Sequence, residues 1–270
     1  MKIKEEIRTS RVVYGRRPVE EILRHREKLV IKVLVSKDAG FSSQLKSTLS
    51  QFSSRGGKLQ EIPAKEFEEL LPEAVHQGIL VLLKDAEPLE LSSLISKSLG
   101  ESGNGLLVAL DHVTDPHNMG AVFRVCDACG VDGVITTSDR SAKLSSVVSK
   151  ASAGASELVP WCEVTNLSRA LTELKKKGFW IVSTACTEQS TSLYATPIPR
   201  PAVIVFGSEG SGVRPLTLKT SDIVVNIPMR GLVDSLNVSQ AASVVLYEVY
   251  RQEQEEKKVG SKSKRNVKEE

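Results

Sequence analysis

With 270 residues and 40% hydrophobic content, the chain is long enough for two modest domains with real cores. Its first ten residues alternate Lys, Glu and Arg with Ile, and its longest apolar stretches, Leu106–Leu110 and Ala202–Phe206, are strand-sized, so there is no candidate signal peptide or membrane helix and a cytoplasmic protein is expected. The net charge of +3 is modest, but residues 1–30 hold 9 basic against 5 acidic residues, with Arg11, Arg16, Arg17, Arg24 and Arg26 close together, which suits either attraction to phosphate or a solvated helix face.

In chain order, Pro18 opens a predicted helix over Val19–Arg26. A strand follows at Ile31–Val35, a helix at Phe41–Ser53 and a strand at Ile79–Leu83. This small α/β unit, taken as 8–84, has its own apolar set. From Asp85 to Gly105 the sequence turns polar and ends in Gly-Glu-Ser-Gly-Asn-Gly, which marks a linker, taken as 85–104, with a short helix over part of it at Leu89–Leu99. Beyond it the signals alternate: strand Leu106–Asp111, helix Asn118–Cys129, strand Val131–Thr136, helices Leu144–Ala151 and Leu167–Lys177, strands Trp180–Thr184, Ala202–Phe206 and Ile223–Ile227, helix Val238–Tyr250. Continuous apolar strands between helices predict an α/β domain over 105–251 built on a mostly parallel sheet buried on both faces. Residues 252–270 are mixed-charge without apolar period and are expected to be a disordered tail.

Four scattered cysteines do not make a disulfide framework. Cys126 and Cys129 form a C-x-x-C that suits zinc or redox chemistry, but no second pair completes a metal site, and buried helix cysteines are the preferred reading; no metal is expected.

Ligands of open parallel sheets bind beyond the carboxyl ends of the strands, and three loops there are unusual. Asp111-His112-Val113-Thr114-Asp115-Pro116-His117-Asn118-Met119-Gly120 leads into a helix carrying Arg124; Asn118 is either an N-cap or a site residue, and Arg124 either a surface residue or part of the same site. Phe206-Gly207-Ser208-Glu209-Gly210-Ser211-Gly212 sets three glycines after an apolar strand, as a tight turn or a close approach to a ligand. Its spacing matches neither the dinucleotide fingerprint nor a P-loop. Ile227–Ala241 ends a strand at Pro228 and brackets the last helix with Ser235 and Asn237, which taken singly are capping residues.

Together, in this order and wording, the three loops resemble the three signature motifs of the SpoU, or TrmH-like, methyltransferases of the SPOUT superfamily. Asp139-Arg140-Ser141-Ala142, Ser149–Ala155, Tyr14-Gly15 and His76-Gln77-Gly78-Ile79 are further similar to the RlmB-like branch, which modifies a guanosine in large-subunit (23S) ribosomal RNA. The resemblance spans nearly the whole chain to about Arg251. It implies an L30e-like RNA-binding front domain, a catalytic domain with a deep trefoil knot, and a homodimer formed through that domain.

It also implies transfer of a methyl group from S-adenosylmethionine to a ribose 2′-hydroxyl of RNA. Asn118, Arg124, Glu209, Ser235 and Asn237 would stand around the reacting ribose, and Gly207, Ile227 and Leu236 would hold the cofactor largely through backbone groups. A guanidinium is a poor proton acceptor near neutral pH, so Arg124 is expected to clamp an RNA phosphate with Glu209 fixing its fork. The alternatives are a transfer-RNA ribose methyltransferase and a non-catalytic ribosome-assembly factor; the intact polar set at Asn118, Arg124, Glu209 and Asn237 counts against the second.

Overall fold

The structure is a computed structural model that describes residues 2–72, 74–84, 87–232 and 235–266. Asp85 and Ala86 of the expected linker, Val233 and Asp234 of the third loop, and the last four residues of the expected tail lie outside the described residues. The chain divides into two compact units, Met1–Glu87 with Lys143–Leu158, and Pro88–Ala142 with Val159–Glu270.

In chain order the elements are α1 (Lys2–Thr9), β1 (Arg11–Tyr14), α2 (Arg16–His25), β2 (Val30–Ser36), α3 (Ser43–Ser54), β3 (Leu59–Ile62), α4 (Ala64–Leu70) and β4 (Ile79–Leu83). There follow α5 (Leu91–Leu99), β5 (Leu106–Asp111), α6 (Pro116–Ala128) and β6 (Gly133–Thr137), then α7 (Ser146–Ala151) and α8 (Ala155–Leu158), which belong to the first unit. The rest are β7 (Trp161–Val164), α9 (Leu167–Lys176), β8 (Trp180–Thr184), β9 (Thr191–Ser192), β10 (Ala202–Gly207), α10 (Pro215–Thr220), β11 (Ile223–Asn226) and α11 (Val238–Asn266).

The first unit is a four-stranded sheet in the order β1-β4-β2-β3, antiparallel except where β2 meets β3. Both faces of its central strand β4 are covered, which is why Ile79–Leu83 reads as an unbroken apolar run. Ile79, Val81 and Leu83 bury against Val19, Ile22 and Leu23 of α2 and Leu45, Leu49 and Phe52 of α3. Leu80 and Leu82 bury against Phe67 of α4 and Ile3 and Ile7 of α1.

The Tyr14-Gly15 and His76-Gln77-Gly78 motifs meet in this unit. The Gly15 N–H donates to the Ile79 carbonyl at 3.1 Å, and the Gln77 side-chain oxygen accepts from the Arg16 N–H at 3.0 Å, so Gln77 caps the start of α2. Residues 143–158, expected within the catalytic domain, are anchored here by a buried ion pair from Arg11 to Glu157 and by Arg26 donating to the Leu158 carbonyl.

The second unit carries a seven-stranded sheet in the order β7-β6-β5-β10-β8-β11-β9, and every recorded pairing in it is parallel. Leu107, Ala109, Ile135, Ile181, Val203 and Val205 face α5 and α9, whose Leu167, Ala170, Leu171 and Leu174 recur at helical spacing. Leu94 of the expected linker lies in this core, so α5 is part of the unit. On the other side α6 packs on β6, and α11 packs on α6 and β10.

The last helix continues to Asn266, through residues expected to form a disordered tail. Its charges explain the difference: Arg251 pairs with Glu248 and Glu255, and Lys257 with Glu253, at the three- and four-residue spacings that support a solvated helix. Among the described residues no helix is long and apolar enough to cross a membrane. Cys126 and Cys129 are both buried, and burial pushes both thiols up, away from the thiolate a metal or redox role needs.

The side chains of Arg11 and Glu157 are 11% and 0% exposed, and burial pushes the Glu157 carboxyl above its ordinary value against the pull of Arg11. Removing one partner of such a pair strands the other, at about 3–5 kcal/mol. Arg11→Met is expected to destabilise the protein by about 3 kcal/mol in urea unfolding. A carboxyl raised in the folded state favours folding at low pH and loses that contribution as pH rises through its folded value. Losing Arg11 raises Glu157 further, so the deficit should grow between about pH 5 and about pH 8. An equal deficit at both values would show that the buried charge is not its source.

Candidate active site

The order of the second sheet reverses between β5 and β10, and the carboxyl ends of β8, β10 and β11 open onto a cleft of about 410 Å³. That size suits a small ligand. Gly207, Glu209, Ile227, Ser235, Leu236 and Asn237 line it, so the second and third loops share one cavity although separated in sequence. Phe206, Val225 and Val238 add apolar wall.

The glycine loop is a hairpin folded back onto its own strand. The Gly212 N–H donates to the Ser208 carbonyl at 3.0 Å. A β-carbon at Gly207 would stand 2.0 Å from the Gly212 carbonyl carbon and 2.2 Å from the Val213 nitrogen, so no side chain fits there. The loop is held from below by Asp111, fully buried at the end of β5 in register with Gly207. One Asp111 oxygen accepts from the Arg214 Nε at 2.6 Å and the other from the Arg214 backbone N–H at 3.1 Å.

The first loop joins the site through Asn118, which bonds to two of the lining residues. The N-cap of α6 is Asp115, whose carboxylate accepts from the His117 N–H at 2.8 Å with Pro116 in the first turn, and not Asn118 as the sequence suggested. Relieved of capping, the Asn118 amide donates to Glu209 Oε1, and its oxygen accepts from the Asn237 amide at 3.0 Å. Asn237 does cap: its side-chain oxygen accepts from the Ser239 N–H at 2.9 Å and hydroxyl at 2.6 Å. A hydrogen-bonded chain Glu209–Asn118–Asn237–Ser239 thus joins all three loops.

Arg124 differs from the other expected site residues. Like Asn118 it does not line the cleft, but it is exposed on α6 and makes no hydrogen bond or ion pair among the described residues. The expected grip of Glu209 on its fork is not formed, because Asn118 takes the carboxylate.

Residues 105–247 match the family model described as the SpoU rRNA Methylase family, and residues 12–89 match one described as RNA 2'-O ribose methyltransferase substrate binding. The chain belongs to the SpoU rRNA methylase family. The 23S rRNA (guanosine-2'-O-)-methyltransferase RlmB of Photobacterium profundum is 40% identical over 90% of this chain and 98% of its own. Among solved structures, the SpoU methyltransferase AviRb from Streptomyces viridochromogenes, in complex with the cofactor AdoMet, is 21% identical with a TM-score of 0.71 over 90% of each chain and shares the fold. The TrmH/SpoU tRNA modifying enzyme of A. aeolicus is 33% identical with a TM-score of 0.53, and covers 62% of this chain and 83% of its own.

Within this SpoU chain, two contributors to the site were missed in the sequence, and a third was quoted there without a role. Thr184, Ala185 and Cys186 line the cleft directly after β8, where the strand-end rule points. Asp111 and Arg214 meet across 103 positions, with no local signal. The Asp139–Ala142 stretch supports the first loop: the His112 ring lies 3.0 Å from the Asp139 carbonyl and the Ala142 N–H donates to the Val113 carbonyl at 2.9 Å. Burial and then the Arg214 guanidinium push the His112 imidazole below its ordinary value, so the first loop presents a neutral ring at neutral pH.

Gly207→Ala forces a β-carbon into backbone, whereas at Gly210 nothing stands within 4 Å and the strain is the φ of +81° alone. Gly207→Ala is expected to cost about 2–3 kcal/mol in denaturant unfolding and Gly210→Ala about 1 kcal/mol. Equal costs would show that the hairpin does not press on its strand.

Proposed function

We propose that this SpoU chain transfers a methyl group from S-adenosylmethionine to the ribose 2′-hydroxyl of a guanosine in 23S ribosomal RNA. The observation that carries the reading is that two sequence-distant loops line one cleft and a third is tied to both of them by the Glu209–Asn118–Asn237 chain. The RlmB relative aligns over 90% of the chain and so spans both units, whereas the tRNA enzyme covers 62%, which favours ribosomal over transfer RNA.

The cleft suits the methyl donor. Phe206, Val225, Ile227 and Leu236 offer apolar wall to an adenine, and the backbone groups of Gly207, Ile227 and Leu236 supply polar contacts. Bound there, the cofactor supplies an electrophilic methyl on a sulfonium. The protein's task is to bring a 2′-oxygen in line with it and remove the proton. Asn118, Ser235 and Asn237 orient the ribose. Glu209, the one carboxylate among the described lining residues, receives the proton. Arg124, exposed and without a partner among the described residues, clamps the phosphate next to the target ribose with its planar fork.

The first unit is the L30e-like RNA-binding domain, and the catalytic domain pairs with a second copy in the cytoplasm. A trefoil knot accounts for the chain path: β11 lies beyond β8, yet the helix after it returns to pack on α6 and β10.

Mapping ribose methylation across total RNA in cells with and without the gene tests the substrate. Loss of one 23S guanosine mark is expected, and loss of a transfer-RNA mark instead overturns the assignment. In calorimetry the purified protein should bind S-adenosylmethionine and its demethylated product but no nicotinamide dinucleotide. Arg124→Ala should then lower single-turnover methyl transfer about a hundredfold, about 3 kcal/mol, while cofactor affinity stays within a few-fold. Arg124→Lys keeps the charge but not the fork and should lose nearly as much. Near-normal transfer by either variant would sink the phosphate-clamp role.

A further inference from the structure

Taken one by one, the five clustered arginines of the first unit are not equivalent. Arg11 is spent on buried Glu157, Arg26 on the Leu158 carbonyl, and Arg24 on Glu20 at 2.6 Å. Arg16 and Arg17 remain, both exposed and with no carboxylate partner among the described residues. Both sit in the first turn of α2, which contains no acidic residue, so the helix dipole adds to their charge.

A third cation joins them from a distant part of the sequence. Lys150 of α7 is exposed, also without a carboxylate partner, and its ammonium stands 5.9 Å from the centre of the Tyr14 ring, two residues before Arg16. The Arg16 guanidinium stands 5.6 Å from the Phe41 ring centre. Rings hold both cations in place without neutralising them. A β-carbon at Gly154 would lie 3.1 Å from Pro18, so the turn after α7 sits close against the start of α2.

We infer that Arg16, Arg17 and Lys150 form one phosphate-binding surface for the RNA backbone, completed by a segment of the methylase sequence range that folds with the front unit. The inference deepens the proposed function and rests on it. Three cations without a carboxylate partner among the described residues, two braced by rings and two in a helix first turn free of acidic residues, complement a polyanion, and each phosphate contact releases bound counterions. Cations already engaged by carboxylates release none on binding.

The test uses full-length protein, a 23S rRNA transcript as probe, and filter binding from about 50 to about 200 mM KCl. Each lost contact should make the slope of log Kd against log salt shallower by about 0.7–0.9. R16A/R17A is therefore expected to reduce the slope by about 1.5–2, and R16A/R17A/K150A by about 2–3 with roughly tenfold or greater weakening. R24A/R55A removes the same two charges as R16A/R17A, but from side chains paired with Glu20 and Glu27, and should leave the slope unchanged. Methyl transfer at saturating RNA and cofactor affinity should stay within a few-fold in every variant, placing the loss in KM. If the multiple variants fail to fold, K150A alone, at an exposed side chain, should still reduce the slope by about one.

An unchanged slope in R16A/R17A, or an equal loss in R24A/R55A, overturns the inference while wild-type methylation of the transcript stands. Absence of methylation by the wild type is a failure of the proposed function instead.

Discussion

The catalytic unit depends on one buried charge. Asp111 ends β5 with no solvent exposure, and a carboxylate there is tolerable because both its oxygens are engaged by Arg214. The double contact closes the chain from Gly207 to Arg214 into a hairpin over the strand ends where the sheet order reverses. With the hairpin fixed, Gly207 must lack a side chain, and Glu209 is displayed where Asn118 reaches it. Burial lowers the His112 imidazole below its ordinary value and Arg214 adds to it, so the cation that closes the hairpin also favours the neutral ring.

From there the site is built by freeing polar side chains from local duties. Asp115 caps α6, which leaves Asn118 its whole carboxamide for Glu209 and Asn237. Asn237 does both, its oxygen capping the last helix while its amide reaches Asn118. Carboxamides suit this junction because each offers a donor and an acceptor at once, so a carboxylate, two amides and a hydroxyl connect without an unmatched group between them. The price is that loss of any one member leaves its neighbours free to turn.

What was legible in the sequence follows from burial. Ile79–Leu83, Leu106–Asp111 and Trp180–Thr184 were found at their observed limits because strands covered on both faces are continuously apolar. Four-residue strands such as Arg11–Tyr14, Leu59–Ile62 and Trp161–Val164, and the six-residue helix Pro215–Thr220, are too short for a period to register. Among site residues, Gly207, Glu209, Ile227, Ser235, Leu236 and Asn237 lie in strand-end loops that were legible as unusual, were assigned to the site through the resemblance to the SpoU motifs, and do share a cleft. The contact between Arg124 and Glu209 was not found, since motif order says which residues approach a site but not which of two donors wins a carboxylate. The extension of α11 was hidden for a related reason. Lys and Glu in alternation fit a solvated tail as well as a helix, and only the spacing of Arg251, Glu255, Glu253 and Lys257 distinguishes them.

Charge is also divided along the sequence in a way the chemistry requires. Residues 101–250 hold 12 basic against 14 acidic residues, while residues 1–30 hold 9 against 5. A cleft meant for a sulfonium would be penalised by a dense basic lining, and its one carboxylate among the described residues, Glu209, favours a cation instead. RNA needs the opposite field. Placing the unpaired cations on the front unit, and borrowing Lys150 for it from the methylase range, lets one chain attract a polyanion and a cationic cofactor without either field cancelling the other. Arg124, on the catalytic unit, has no ion-pair partner among the described residues, and a single fork suits gripping one phosphate better than it suits general attraction.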